Sequence, residues 1–223
     1  PIQACHSSKD FLMYVGRIVA VGRTETGDNA VMYRVSSRSF PNRMAVDNQG
    51  TLTIVPRPGH EGDIQKNPYI AYNALRVAGD WAVATNGTHT DPIAEKISAG
   101  LPVRDAMALS LLTLDYERDE FLTPRIAAAV PLNGDIAWLA IVRHDALIIK
   151  EISLEAGCAR YLATYVSNEI QGEQSSSFNA NSATDAAEFV VNQGAFADLE
   201  NPVTSVAALA SVAGFGLATY MVE

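Results

Sequence analysis

The stretch Tyr33-Arg34-Val35-Ser36-Ser37-Arg38-Ser39-Phe40-Pro41-Asn42-Arg43 places three arginines and three serines within eleven residues. If its first part is a strand, alternation puts Arg34, Ser36 and Arg38 on one face. Arg38, Ser39, Asn42 and Arg43 then lie on the turn imposed by Pro41. Forked guanidinium groups and short hydroxyls suit a phosphate monoester, so the stretch predicts an anion site. A strand edge with solvated arginines is the competing interpretation.

The bulk composition narrows the possible classes of protein. The 223-residue chain has a formal net charge of −9, so a local cationic cluster indicates a specific anion site, not a nucleic-acid or membrane surface. Hydrophobic residues make up 48% and charged residues 18%, which is typical of a globular protein. No apolar run could cross a bilayer, and no secretion signal is recognisable. With only Cys5 and Cys158, a reducing cytoplasm is expected and a disulfide scaffold is not.

The order of predicted elements indicates the fold class. We expect an extension or expression remnant at residues 1–12 and one domain at residues 13–223. Helices are predicted at residues 91–100, capped by Asp91, and at residues 103–117, apolar nearly all round and therefore buried. Two more helices are predicted at residues 183–193 and 203–212. Strands are predicted at residues 13–22, 30–35, 51–55, 71–78, 81–85, 125–130, 136–142, 146–153, 161–165 and 217–221. This order is typical of an α+β fold with helices on the outer faces of sheets.

Three further segments concentrate polar chemistry. Residues 67–73 read Asn-Pro-Tyr-Ile-Ala-Tyr-Asn, and the simplest interpretation is a loop that leads into a strand, with a tyrosine in the core. Residues 85–91 read Thr-Asn-Gly-Thr-His-Thr-Asp and join a strand to a helix, where backbone N–H groups attract anions or simply cap the helix. Residues 115–120 read Asp-Tyr-Glu-Arg-Asp-Glu, and charges at a helix end are usually solvated. Acids at a helix C-terminus oppose the macrodipole, however, so a functional carboxylate in a cleft is the alternative. Histidines and cysteines lack metal-ligand spacing, so no metal site is predicted.

These segments, together with Thr-Pro-Arg-Ile-Ala-Ala at residues 123–128, resemble the archaeal-type IMP cyclohydrolase family in order and spacing. The resemblance implies an N-terminal-nucleophile-hydrolase-like fold, a four-layer αββα sandwich, in a homo-oligomer with a tetramer as the expected form. It implies closure of 5-formamidoimidazole-4-carboxamide ribotide to inosine monophosphate with loss of water, the last step of purine biosynthesis. The N-terminal nucleophile of that fold class is missing, because the domain begins Met13-Tyr14 and Cys5 lies too far upstream.

The resemblance and the chemistry together suggest roles for individual residues. The reaction is an intramolecular condensation that needs positioning, an oxyanion donor and a proton acceptor, but no metal or organic cofactor. The predicted catalytic residues are Arg43 and Tyr72, which stabilise the oxyanion or deliver the proton, and Glu117, which accepts or relays a proton. The predicted substrate-binding residues are Arg34, Ser36, Arg38 and Thr88 at the phosphate, Asn73 and Asn86 at the carboxamide, Asp115 as the competitor of Glu117, and Arg125 beside a carboxylate or the phosphate.

Two other functions remain open from the sequence. One is a purine-nucleotide-binding protein of the same fold that lacks catalysis. The other is an amidohydrolase, which would need a free nucleophile at a processed N-terminus.

Overall fold

Two antiparallel sheets form the centre of the computed structural model, which describes residues 14–170 and 174–222. The predicted extension at residues 1–12 lies outside the described residues. The strands are β1 (Arg17–Arg23), β2 (Asn29–Ser36), β3 (Arg43–Asn48), β4 (Thr51–Pro56), β5 (Tyr72–Ala78), β6 (Trp81–Thr85), β7 (Arg125–Pro131), β8 (Ile136–Val142), β9 (Leu147–Ser153), β10 (Cys158–Ala163), β11 (Ser175–Ser177), β12 (Pro202–Ser211) and β13 (Gly214–Met221). The helices are α1 (Asp63–Lys66), α2 (Thr90–Ser98), α3 (Val103–Leu114) and α4 (Ala183–Asn192).

The sheets lie face to face, with helices on their outer faces. The first sheet has the order β11-β10-β1-β2-β12-β13, and the second runs β3-β4-β5-β6-β7-β8-β9. Helix α4 packs on the outside of the first sheet, whereas α2 and α3 pack on the outside of the second. The predicted α+β class with outer helices is therefore confirmed. In the part of the chain that the structure describes, no helix combines the length and apolar character needed to span a bilayer.

Alternating side chains along each strand serve two separate cores. In β1, Val19 and Val21 point toward the second sheet, while Ile18 and Ala20 point toward α4. Strands that are covered on both faces need apolar residues at consecutive positions. The layers therefore explain why β1 and its neighbours read as continuous apolar runs.

Several sequence predictions agree closely with the observed elements. Strands β2, β4, β7 and β8, the β5–β6 hairpin, and helix α4 lie where they were expected. Ser182 caps α4 by accepting a hydrogen bond from the backbone N–H of Asp185. Strand β10 begins three residues earlier than predicted, and β3 and β11 were not predicted at all.

The predicted helix at residues 203–212 is wrong, because this segment forms strand β12. Strand β12 pairs with β2 on one side and β13 on the other. Val206 and Ala208 face the second sheet, whereas Ala207 and Leu209 face α4. Burial on both faces removes the polar–apolar alternation that would have identified a strand.

The helices at residues 90–114 also differ from their predictions. Helix α3 ends at Leu114 because Asp115 adopts a φ of 58°. The prediction that α3 is buried on all sides was wrong, since Leu109 is 48% and Leu112 is 70% exposed. Helix α2 follows His89 instead of being capped by Asp91, whose carboxylate accepts hydrogen bonds from Asn73 and Arg76 instead.

Candidate active site

Strand ends and loops from both sheets meet at one end of the sandwich. We call this region the polar end; at its centre lie Arg17, Tyr33, Arg43, Tyr72 and Glu117. The alternation that turns Tyr33 of β2 toward the second sheet places it against Tyr72, the first residue of β5. Both tyrosines are buried, and their hydroxyl oxygens lie 2.5 Å apart. The rings meet edge to face, with 6.4 Å between centroids. A hydrogen bond between hydroxyls therefore joins the two sheets at this end.

Arg43 carries a buried charge without a counter-charge bonded to it. It begins β3 and is 1% exposed, and its Nε donates to the carbonyl of Phe40 at 3.0 Å. Within the described ranges, its Nη1 and Nη2 have no hydrogen-bond partner, and the same holds for Nε of Arg17. Burial lowers the pKa of Arg43, and the charge of nearby Arg17 lowers it further. A buried, unsatisfied guanidinium is costly, so this geometry is suited to receive an anionic group.

Glu117 is the buried carboxylate of the polar end. It follows α3, is 3% exposed, and its backbone N–H donates to the carbonyl of Thr123. Its Oε1 lies 3.4 Å from Nη1 of Arg125. Burial raises the pKa of Glu117 to about 7, although the charges of Arg17 and Arg125 partly oppose this effect. A carboxyl group with that pKa can accept or return a proton near neutral pH.

Arg125 is held in place from several directions. Its Nε donates to the carbonyl of Asp115 at 2.8 Å, and its guanidinium lies 5.7 Å from the ring centroid of Tyr69. Gly87 allows this close approach, because a β-carbon there would lie 2.7 Å from Nη1 of Arg125 and 3.5 Å from Oε1 of Glu117. The missing side chain at residue 87 thus makes room for the ion pair.

We expect Gly87→Ala to displace Arg125 from Glu117. Gly87 does not have a positive φ, so alanine fits the backbone, but its β-carbon would displace the Arg125 guanidinium and press on Nδ1 of His89, 3.3 Å away. Loss of the Arg125 charge should raise the pKa of Glu117 further and move the acid limb of the pH–activity profile upward. Gly59→Ala is an unsuitable control because Gly59 has a φ of 86°; Gly62→Ala, in open space, is the matched one. An unchanged pH profile in Gly87→Ala would contradict this account.

His89 is a neutral imidazole at the edge of the site. Its Nε2 lies 2.9 Å from the carbonyl of Ile126, so Nε2 carries the proton and Nδ1 is an acceptor. Nδ1 has no hydrogen-bond partner within the described ranges. Burial, aided by the charge of Arg125, lowers the pKa of His89 to about 3. His89 therefore stays uncharged at neutral pH.

Aromatic side chains line the more exposed rim of the polar end. Tyr14 stacks on Tyr165 with 5.7 Å between ring centroids, and the hydroxyls of Tyr165 and Thr123 lie 2.8 Å apart. The guanidinium of Arg38 lies 4.5 Å from the Tyr14 ring centroid and forms an ion pair with Glu200. The rim combines flat aromatic faces with a cation that solvent can reach.

Arg34 and Ser36 lie on the opposite face of β2 from Tyr33, which corrects the predicted grouping with Arg43. Arg34 points into the layer of α4, where its Nη1 donates to the carbonyls of Val191 and Phe196, both at 2.9 Å. Its Nη2 donates to the carbonyl of Leu199 at 2.6 Å, and its Nε to Oγ of Ser36. These bonds use the guanidinium to close the end of α4, so it is not available to a phosphate.

We expect Arg34→Met to reduce the free energy of unfolding by about 3 kcal/mol, because several buried carbonyls lose their donor. Denaturant unfolding measures this, with Arg104→Met on the surface of α3 as the control that should change little. Nucleotide binding by the folded fraction should be unaffected. A variant of normal stability that no longer binds nucleotide would instead support the predicted phosphate contact.

The other predicted binding residues have separate surroundings. Asn73 points to the α2 side, where its amide binds Asp91 and Thr53. The Asn86 amide bridges the carbonyl of Pro124 and the N–H of Ile126, so it joins β6 to β7. Thr88 is exposed. The carboxylate of Asp115 accepts hydrogen bonds from the N–H of Tyr116 and from Arg118. Both bonds hold the pKa of Asp115 below its usual range, and the bond from Tyr116 has the larger effect.

Three residues of the polar end were not singled out from the sequence: Arg17, Tyr33 and His89. A signal existed for Arg17, since it is a charged residue next to the apolar interior of a strand, residues 18–22. For Tyr33, the alternation that assigned Arg34 to one face also assigned Tyr33 to the other. In the part of the chain that the structure describes, no group of three His, Cys, Asp or Glu side chains could hold a metal ion.

Comparison with known proteins identifies the family. Residues 14–214 match the family model described as IMP cyclohydrolase-like protein. The chain is 48% identical over 208 residues to the IMP cyclohydrolase of Methanococcus maripaludis strain C6, covering 93% of this chain and 100% of the relative. It is 45% identical to that of Methanosphaera stadtmanae, covering 88% and 94%, and 39% identical to that of Methanocaldococcus jannaschii, covering 93% and 98%. The chain therefore belongs to the IMP cyclohydrolase-like family.

Proposed function

We propose that the protein is an IMP cyclohydrolase, a hydrolase of the class acting on C–N bonds in cyclic amidines. It closes 5-formamidoimidazole-4-carboxamide ribotide to inosine monophosphate with loss of water, in the last step of purine biosynthesis. The relatives named IMP cyclohydrolase support this reaction. The observation that carries the mechanism is the buried guanidinium of Arg43 beside the Tyr33–Tyr72 pair, with two nitrogens that no described residue partners.

Ring closure begins when the carboxamide nitrogen attacks the formyl carbon within the same molecule. A new C–N bond forms, and the electrons of the C=O bond move to the formyl oxygen. Tyr72 donates a hydrogen bond to this oxygen, and the charge of Arg43 stabilises it. Glu117 accepts a proton from the attacking nitrogen, which a carboxylate with a pKa of about 7 can do at neutral pH.

Loss of water completes the reaction. Glu117 returns its proton to the oxyanion, which gives the carbinolamine hydroxyl. This hydroxyl then leaves as water with the proton of the former formamido nitrogen, passed through Glu117, and the lone pair of that nitrogen forms the C=N bond of the purine. Because both reacting groups belong to one substrate, much of the rate acceleration comes from holding the reactive rotamer. Arg125 keeps Glu117 at the reacting centre through their ion pair.

The substrate contacts proposed from the sequence are revised by this geometry. Arg38 on the rim and exposed Thr88 are retained as contacts for the ribose phosphate. Arg34 and Ser36 are not retained, because their polar groups bond to each other and to backbone carbonyls. The side-chain amides of Asn73 and Asn86 are likewise hydrogen-bonded within the protein. Other groups of the polar end therefore hold the carboxamide of the substrate.

The finer features of the fold and its setting belong to the same proposal. The layered sandwich is of the N-terminal-nucleophile-hydrolase type. Residues 13–223 form a single domain and residues 1–12 an extension. The enzyme is cytoplasmic and works as a homo-oligomer, with a tetramer as the expected form.

The direct test uses purified, metal-free protein and formamidoimidazole-carboxamide ribotide, with formation of inosine monophosphate followed by absorbance. Turnover would establish the cyclohydrolase. Binding of inosine monophosphate without turnover would instead indicate a nucleotide-binding protein. An amidohydrolase would require cleavage before a Ser, Thr or Cys, which intact-mass analysis detects.

A further inference from the structure

The two hydroxyl groups that join the sheets have unequal surroundings. Tyr33 has no exposed surface, whereas 5% of Tyr72 is exposed. Their oxygens lie 2.5 Å apart, and across residues 14–170 and 174–222 neither hydroxyl has another hydrogen-bond partner. Tyr33 is therefore the inner member of the pair and Tyr72 the outer one.

The direction of this hydrogen bond follows from counting donors and acceptors. A phenol has one proton to donate, and a guanidinium can accept none, so neither Arg17 nor Arg43 can take the proton of Tyr33. If Tyr72 donated to Tyr33, the proton of Tyr33 would be buried without an acceptor, which is costly. The bond must therefore run from Tyr33 to Tyr72, and the proton of Tyr72 is free to point into the polar end.

The surrounding charges are consistent with this direction. Burial, together with the neighbouring Tyr72, raises the pKa of Tyr33 well above its ordinary value, although Arg17 and Arg43 oppose the shift. Tyr33 thus retains its proton throughout the neutral range and can act as a permanent donor. Accepting that proton polarises the Tyr72 hydroxyl, which makes it a better donor to a third group.

We propose that Tyr33 is a positioning residue that donates its phenolic proton to Tyr72 and thereby holds Tyr72 as the hydrogen-bond donor to the developing oxyanion of the substrate. This inference rests on the proposed function, because it assumes that Tyr72 contacts the formyl oxygen during ring closure. Tyr33 itself touches no substrate, since it is fully buried behind Tyr72. Its effect is confined to the transition state, where the charge on that oxygen is largest.

Tyr33→Phe tests the proposal because it removes one hydroxyl and keeps the ring. We expect kcat for inosine monophosphate formation to fall about tenfold, the size of one lost hydrogen bond, with KM within about twofold of wild type. In a Tyr72→Phe background the same change should have no further effect on kcat, because Tyr33 acts through Tyr72. Tyr161→Phe, on the α4 side of the first sheet, is the matched control and should retain wild-type kcat.

The outcomes separate this inference from the proposed function. If wild type forms inosine monophosphate and Tyr33→Phe has an unchanged kcat, only the role of Tyr33 is overturned. Independent, multiplying losses in the double variant would also overturn it. If wild type does not turn over, the proposed function fails first. Should Tyr33→Phe fail to fold, 3-fluorotyrosine at residue 33 replaces it: a more acidic donor should raise kcat, and an unchanged kcat would overturn the proposal.

Discussion

Glu117→Gln should lower kcat about 10²–10⁴-fold while the protein remains folded, because the amide keeps the shape of the side chain but cannot accept the proton. Initial rates of inosine monophosphate formation measure the loss, and thermal unfolding checks the fold. Glu120→Gln is the matched control, since Glu120 is exposed in the same segment and should behave as wild type. A Glu117→Gln enzyme with wild-type kcat would exclude Glu117 as the proton acceptor.

The pH dependence gives a second, independent reading of Glu117. Its folded-state pKa is raised from 4.5 to about 7, so activity should rise as pH increases through about 7 and the carboxyl group ionises. For stability the sign is opposite. Between pH 4.5 and about 7 the folded state holds a proton that the unfolded state has released, so the free energy of unfolding falls as pH rises through that window. Glu117→Gln should remove this contribution, whereas Glu120→Gln should not.

Arg43→Met should lower kcat/KM by about 10²–10³-fold, the usual cost of removing one group that stabilises an oxyanion. Its effect on stability should have the opposite sign. The guanidinium is buried, and two of its nitrogens have no partner in residues 14–170 and 174–222, so replacing it with an apolar side chain of similar length should leave the melting temperature unchanged or raise it. Arg104→Met is the control for removing a surface arginine.

Comparison with Arg34→Met makes the Arg43 test specific. Both arginines are buried, but Arg34 donates to several carbonyls, whereas Arg43 donates only through Nε among the residues that the structure describes. We expect Arg34→Met to lose stability and Arg43→Met to lose activity. Inosine monophosphate should also raise the melting temperature of wild type more than that of Arg43→Met, since bound ligand stabilises the folded state. If Arg43→Met is both unstable and active, Arg43 is a structural residue.

Local sequence signals were sufficient wherever a segment's structure depends on its own residues. The Gly79-Asp80 turn identifies the β5–β6 hairpin, and Ser182 with the apolar face of α4 identifies that helix. These elements need no knowledge of their neighbours, because turn geometry and capping are satisfied within a few residues. The prediction for residues 203–212 was wrong because small apolar residues suit a helix as well as a strand. Pairing with β2 and β13 makes this segment a strand.

The candidate site shows the same division at the level of single side chains. Alternation along β2 correctly separates Arg34 and Ser36 from Tyr33, but it does not say which face meets the other sheet. The arginine cluster therefore led to a predicted binding role for Arg34, whose guanidinium supports α4, and to none for Tyr33. Arg43 was grouped with Arg34 through a turn, although it begins β3 in the other sheet.

The acidic globular character, the α+β class, most of the strands and the family of the motifs can all be inferred from the amino-acid sequence. The grouping of Arg17, Tyr33, Arg43, Tyr72 and Glu117 at one buried end, without Arg34, emerges from the packing of the layers. Periodicity defines two faces of a strand, whereas burial, unpaired charge and a raised pKa arise from what packs against each face. Chemistry at this site therefore depends on contacts between residues far apart in the chain.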